Sequence, residues 1–189
     1  AKVSKENIIK AIMPVHYLGL PCDMNKINEI AKSTNSLVIE DCALAMDAQY
    51  DSLKAGNLGD CGSFSFYPVK HMTSIEGGMV TTNNKYLAEQ IRKKKAFGYN
   101  KSLGERTRPG QYDVDALGFN YRMNEIEAAV GLCQLERLDK HLKVREKNFD
   151  ILNNKLKRLD SVKLFPKKSG KSISSFYCLN FVKIYLIKR

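Results

Sequence analysis

No apolar run in this 189-residue chain reaches the roughly 18 to 20 residues that a bilayer-spanning helix needs. The opening residues Ala1-Lys-Val-Ser-Lys-Glu6 lack the apolar core of a secretory signal. Cysteine is sparse and badly placed for joint work. The five thiols (residues 22, 42, 61, 133 and 178) are odd in number and show neither CxxC nor Cys/His ligand spacing. That pattern argues against a disulfide framework and a zinc ribbon, so the expectation is a reduced, cytoplasmic setting with no metal. There is no internal repeat, no low-complexity tract, and no RNP-like, zinc-finger or helix-turn-helix signature.

The net charge of +11 would suit nucleic acid, but its location weakens that reading. Residues 1–60 carry 6 basic and 8 acidic side chains, residues 61–130 carry 10 and 7, and residues 131–189 carry 15 and 5. The surplus lies in the C-terminal third, where helix faces and tails commonly hold solvated charge. No nucleic-acid partner is expected. A hydrophobic content of 43% is enough to bury one core with a small appendage.

The apolar pattern supplies the frame. Residues 11–16 read as a buried strand interrupted by Pro14. Asp23 stands as an N-cap before a helix over 24–33, and Leu37-Val-Ile39 forms the next apolar strand. Strand, helix, strand with short connections is a βαβ unit, hence a parallel sheet with covered faces. Residues 49–60 read as a polar loop. A helix follows over 85–95, then a long exposed loop over 98–116. Asn124 then caps a long helix running toward residue 158, with Ile126, Ala129, Val130, Cys133 and Arg137 on one stripe. A last weak strand pattern spans 175–187, and the chain looks cut short after it.

The chemistry gathers around residues 61–82. Phe64 and Phe66 alternate as a half-buried strand, Pro68 ends it, and Lys70 falls on the following loop; Gly77-Gly78 precede a second short strand at 79–82. Taken alone, a loop lysine is a solvated charge. Asp41, at the carboxyl end of the 37–39 strand, changes its meaning, because ligands of open α/β sheets gather outside those ends. Asp41 also suits a plain cap on the Ala-rich turn behind it, and both readings stand. A carboxylate to hold a protonated pyridine nitrogen and a lysine to form an imine are the two parts a pyridoxal phosphate enzyme needs. Ser65 and its neighbours offer neutral donors for a phosphate.

Six motifs in order and spacing carry a family resemblance: residues 11–16, Val38-Ile-Glu-Asp41, Gly59-Asp60, Ser63-Phe-Ser-Phe-Tyr-Pro-Val-Lys70, Glu76-Gly-Gly-Met-Val-Thr81 and Gly118-Phe-Asn-Tyr-Arg-Met123. The chain resembles the DegT/DnrJ/EryC1/StrS nucleotide-sugar aminotransferases of the fold-type I pyridoxal phosphate superfamily. The resemblance implies an α/β fold, a three-layer, mostly parallel sheet flanked by helices. It would be present here incompletely: part of the large domain over 1–125, an interdomain and dimer helix over 126–160, and the start of a small domain over 161–189. It implies Lys70 as the Schiff-base lysine, Asp41 as the partner of the pyridine nitrogen and Ser65 at the phosphate of pyridoxal 5'-phosphate. Asn120 or Arg122 would reach the phosphate in the partner subunit of a homodimer. The implied reaction moves an amino group, usually from glutamate, onto a nucleotide-linked keto-sugar, in cell-surface polysaccharide or secondary-metabolite synthesis. Arg106 and Arg108 on the polar loop suit its diphosphate, and they suit plain solvated loop charges equally well.

One position departs from the pattern. The family usually has Gln or His three residues after the aspartate, bonded to the cofactor's ring oxygen; here it is Leu44, which neither donates nor accepts. The rival reading is a truncated, non-catalytic homologue that acts at most as a binding or interaction module.

Overall fold

The computed structural model describes residues 8–100, 107–108 and 110–159, with the backbone of 171–172. Strand β1 is only Ala11–Ile12, because Pro14 removes a ladder donor just beyond it; an isolated parallel bridge from Val15 to Asp41 resumes the line. Helix α1 (Met24–Thr34) returns the chain, and β2 (Leu37–Asp41) pairs parallel with β1. The segment expected as a loop over 49–60 instead contains a small antiparallel hairpin, β3 (Gln49–Tyr50) and β4 (Leu53–Lys54). Strand β5 (Cys61–Ser65) then pairs parallel with β2, and β6 (Gly78–Thr81) closes the sheet antiparallel to β5. The order β1-β2-β5-β6 is the mixed, mostly parallel sheet that the sequence predicts.

Asp23 occupies the N-cap position of α1 without capping it. Its carboxylate instead accepts the Tyr50 hydroxyl at 2.9 Å, tying the helix entry to the hairpin. That bond belongs to the first core, in which Met24, Ala31, Val38 and Tyr50 are buried.

Helix α2 (Lys85–Lys94) starts as expected, with Asn84 accepting from the Leu87 N–H. Helix α3 (Glu125–Leu156) begins with a capping box: the Asn124 side chain accepts the Glu127 N–H while the Glu127 carboxylate accepts the Asn124 N–H. Its predicted stripe is not the buried one: Ile126, Ala129, Cys133 and Arg137 are exposed and Val130 is half-buried, while the residues α3 buries are Gly131, Leu138 and Phe149. These are spaced about two and three turns apart and so fall on one line of the helix. Leu138 packs there with Phe66 and Met72. A last short strand, β7 (Lys171–Ser172), pairs with β3. The strand expected over 175–187 lies outside the described residues.

Glu40 is the most connected buried side chain near the sheet's carboxyl edge. It is fully buried, and its carboxylate accepts from the amides of Gly56 (2.8 Å), Leu58 (2.7 Å) and Gly59 (2.8 Å). It also meets His16 Nε2 at 2.9 Å. Burial pushes the Glu40 carboxyl up, but the His16 bond and the three amides outweigh it and hold it below the usual range. For His16, burial lowers the affinity for a proton while Cys22, Cys42 and Glu40 raise it, to about 11 on balance. That balance favours an imidazolium, yet the Cys22 amide points at Nδ1 from 3.2 Å, and an N–H there requires a lone pair. The hydrogen-bond geometry therefore decides for the neutral ring, with its proton on Nε2 donating to Glu40.

Two backbones also cross without side chains between them. Gly98 has φ 74°, and a Cβ on it would overlap the Ala116 carbonyl; a Cβ on Gly118 would overlap the Gly98 amide.

Two outcomes follow from these contacts. Gly98→Ala combines a left-handed φ with backbone overlap and is expected to cost about 2 kcal/mol or more in urea unfolding, whereas Gly110→Ala, at φ 77° but with open space, costs less. Glu40 titrates lower in the folded than in the unfolded chain, so its contribution is present above its ordinary pKa and lost as pH falls through the folded value. Glu40→Gln should therefore lower the urea midpoint at pH 7 and flatten its fall as the pH drops below the ordinary carboxylate range relative to wild type.

Candidate active site

Strands β2 and β5 run parallel, so their carboxyl ends lie on one edge of the sheet. Asp41 is paired with Ser63 across that ladder, and Ser65 stands two residues farther along β5, about 6.6 Å on. Paired and alternate residues share a face, so Asp41, Ser63 and Ser65 point to one side. Glu40, paired with Gly62, points to the other. Two adjacent acids thus have opposite fates: Glu40 is locked into the structure and Asp41 is presented at the edge.

The backbone at Asp41 is held on both sides. Its N–H donates to the Pro14 carbonyl (2.9 Å) and its carbonyl accepts from His16 (3.0 Å). One carboxylate oxygen, Oδ1, accepts the Ala43 N–H at 3.0 Å. Asp41 therefore does cap the turn behind it, with one oxygen. No described residue bonds to the other oxygen. A cap and a presented acid are compatible in one carboxylate.

Beyond Ser65 the chain turns. The Ser65 hydroxyl accepts the Tyr67 N–H at 3.3 Å, and the Lys70 N–H donates to the Tyr67 carbonyl at 2.9 Å. Lys70 is half-buried on the loop that joins β5 to β6. Asp41, Ser65 and the Lys70 loop all sit at the carboxyl edge. An acid and a hydroxyl on one face at that edge, with a lysine on the loop that follows, are a residue set that fits pyridoxal phosphate: an acceptor for a ring N–H, an O–H for a phosphate, and a nucleophile. Leu44 lies half-buried in the turn after Asp41 and adds no side-chain hydrogen bond to that set.

Asn120 and Arg122 form a separate cluster. Arg122 Nε donates to Asn120 Oδ1 (3.1 Å), and the guanidinium lies 4.7 Å above the Phe97 ring. Both residues are exposed, and on the same segment Phe119 stacks on Tyr121. Next along, Met123 reaches Gly77, so this segment borders the loop that bears Lys70. Arg108 is exposed on the polar loop. Arg106 lies outside the described residues.

The sequence reading missed the buried group made by His16, Glu40 and Cys42, whose ligand-type atoms lie within 4.8 Å of one another. Its carboxylate is committed to hydrogen bonds within the fold, and burial holds the Cys42 thiol up. The available signal was the doublet Glu40-Asp41 at a strand end, since alternation forces one of two neighbouring acids inward. No helix among the described residues is long and apolar enough to cross a membrane.

Comparison with known proteins gives the family and the fold. The chain is 47% identical over 150 residues to a GDP-perosamine synthase of Caulobacter vibrioides, covering 79% of this chain and 38% of that protein. It is 36% identical over 144 residues to a UDP-4-amino-4,6-dideoxy-N-acetyl-β-L-altrosamine transaminase of Campylobacter jejuni, covering 76% and 37%. The crystal structure of a DegT/DnrJ/EryC1/StrS aminotransferase from Brucella abortus superposes with a TM-score of 0.78 at 32% identity, over 88% of this chain and 42% of that one. The chain thus spans about two fifths of the length of the relatives it matches. Pyridoxal phosphate is the cofactor of the family whose model fits residues 1–184, and on that match the chain belongs to the DegT/DnrJ/EryC1/StrS aminotransferase family.

Proposed function

We propose that this protein transfers an amino group from an amino acid, glutamate by preference, to the keto group of a nucleotide-linked hexose in the cytoplasm. The observation that carries the reading is the meeting of Asp41, Ser65 and the Lys70 loop at the carboxyl edge of two adjacent parallel strands. The names of the relatives, a GDP-sugar and a UDP-sugar enzyme, support the substrate class and leave the base open.

Pyridoxal phosphate, when bound, supplies a cationic ring that takes up electrons as the α-proton leaves the donor. The rest falls to the chain. Asp41 holds the proton on the ring nitrogen with the carboxylate oxygen that the turn does not use. Ser65 donates its hydroxyl to the phosphate. Lys70 Nζ holds the cofactor covalently and, once displaced by substrate, carries the α-proton as a general base. Arg106 and Arg108 bind the diphosphate of the sugar nucleotide.

The site is completed by a second copy. Leu117 is 81% exposed and Tyr121 is 72% exposed on the same segment as Asn120 and Arg122, an apolar surface of the kind that a subunit interface covers. In the proposed homodimer Asn120 or Arg122 crosses to the phosphate of the partner's site. A second reading, a homologue that keeps the fold and has lost the chemistry, is favoured by Leu44, which leaves the ring oxygen without its usual partner.

Titration with pyridoxal phosphate separates the two. An absorbance band near the visible edge should grow in and be absent from Lys70→Ala; no band, or one indifferent to that substitution, defeats the catalytic reading. Asp41→Asn is expected to keep the band and lower amino-group transfer about a hundredfold or more, read by single-turnover kinetics with glutamate. Leu44→Gln should tighten cofactor binding.

A further inference from the structure

The loop that carries Lys70, residues 66–77, is closed at its neck through one residue. The Phe66 N–H donates to the Gly77 carbonyl (2.9 Å), and the Phe66 carbonyl accepts both the Ser74 N–H (3.0 Å) and the Thr73 hydroxyl (2.9 Å). The same Thr73 oxygen accepts the Ile75 N–H at 2.9 Å. This tight turn leaves Ile75 at φ 74°, a region that β-branched residues avoid. The Ile75 side chain is 52% exposed, so burial does not account for its conformation; the hydrogen bonds around it do. Below the neck, Ser74 is fully buried against Gly131 of α3, and Met72 packs with Phe66 and Leu138. The base of the loop is packed and its rim is strained.

We propose that Thr73 is a positioning residue for Lys70: its hydroxyl, donating to Phe66 and accepting from Ile75, locks the loop in the one arrangement that presents the lysine at the sheet edge. This rests on the reading of Lys70 as the cofactor-binding lysine. A backbone conformation as unfavourable as that of Ile75 persists only where its surroundings enforce it, and Thr73 is the side chain that bonds to the Ile75 backbone. Without that hydroxyl Ile75 relaxes to negative φ, and the loop that bears Lys70 relaxes with it. Valine at 73 keeps the shape and removes both bonds. Serine keeps both bonds.

The experiment compares Thr73→Val, Thr73→Ser and Ile75→Gly in the full protein, with Thr73→Ala in reserve should the valine disturb folding. Three quantities are read: the pyridoxal phosphate concentration that half-saturates the absorbance band, the pH midpoint of that band, and amide hydrogen exchange over residues 66–77. Thr73→Val should raise the half-saturating concentration about tenfold, shift the pH midpoint and speed exchange in this loop alone. Thr73→Ser should behave as wild type. Ile75→Gly, which keeps the lock and removes the strain, should bind the cofactor at least as well as wild type. Wild-type half-saturation and pH midpoint in Thr73→Val overturn the proposal. Should the wild type show no band that depends on Lys70, the cofactor reading fails on its own. The lock then stands if exchange over 66–77 quickens in Thr73→Val and falls if it does not.

Discussion

The structure depends on a carboxylate that has no access to water. Glu40 sits one residue before the end of β2, and its two oxygens collect three amides from the segment before β5 and the imidazole that follows β1. Burying a carboxylate without such partners is prohibitive, so the segments that supply them are not free to lie elsewhere. One side chain thereby fixes the relative positions of three consecutive parts of the sheet. It anchors the neighbouring residue too. Once Glu40 is committed to one face, pleating commits Asp41 to the other.

What is built on that frame is a division of labour by direction. Phe64 of β5, which shares the Glu40 face, and Phe66 just beyond the strand pack into the cores formed with Met46, Met72 and Leu138. Residues that share the Asp41 face, Ser63 and Ser65, are small and hydroxylic. Core and chemistry therefore occupy opposite sides of the same five-residue strand. The loop after it joins them, because Met72 reaches down to the core while Lys70 stays at the edge.

Much of this was legible in the order of residues. The apolar run of β2 with an acid at its end, Pro68 as the stop after β5, and Asn124 as the cap at the start of α3 are local signals, and local hydrogen bonding realises them. The failures have a common origin in contacts between distant residues. Asp23 looks like a cap, but Tyr50, 27 residues away, competes for its carboxylate. The hairpin at 49–54 consists of two-residue strands, too short to show alternation. The apolar residues of α3 are spread around its circumference, so periodicity alone did not reveal that Gly131, Leu138 and Phe149 form its buried line. The partnership of His16 with Glu40 spans 24 positions and leaves no local trace.

The crossing of Gly98 and Gly118 is a constraint of another kind. A hydrogen-bonded pair can drift: His16 and Glu40 can be exchanged together for two other side chains that satisfy the same amides. The glycine crossing offers no such second change, because what fills the space on each side is peptide backbone, which every residue carries. Over long divergence the first is a constraint on pairs and the second a constraint on single sites. The path of the chain between α2 and α3, and with it the aim of Arg122, rests on the less negotiable of the two.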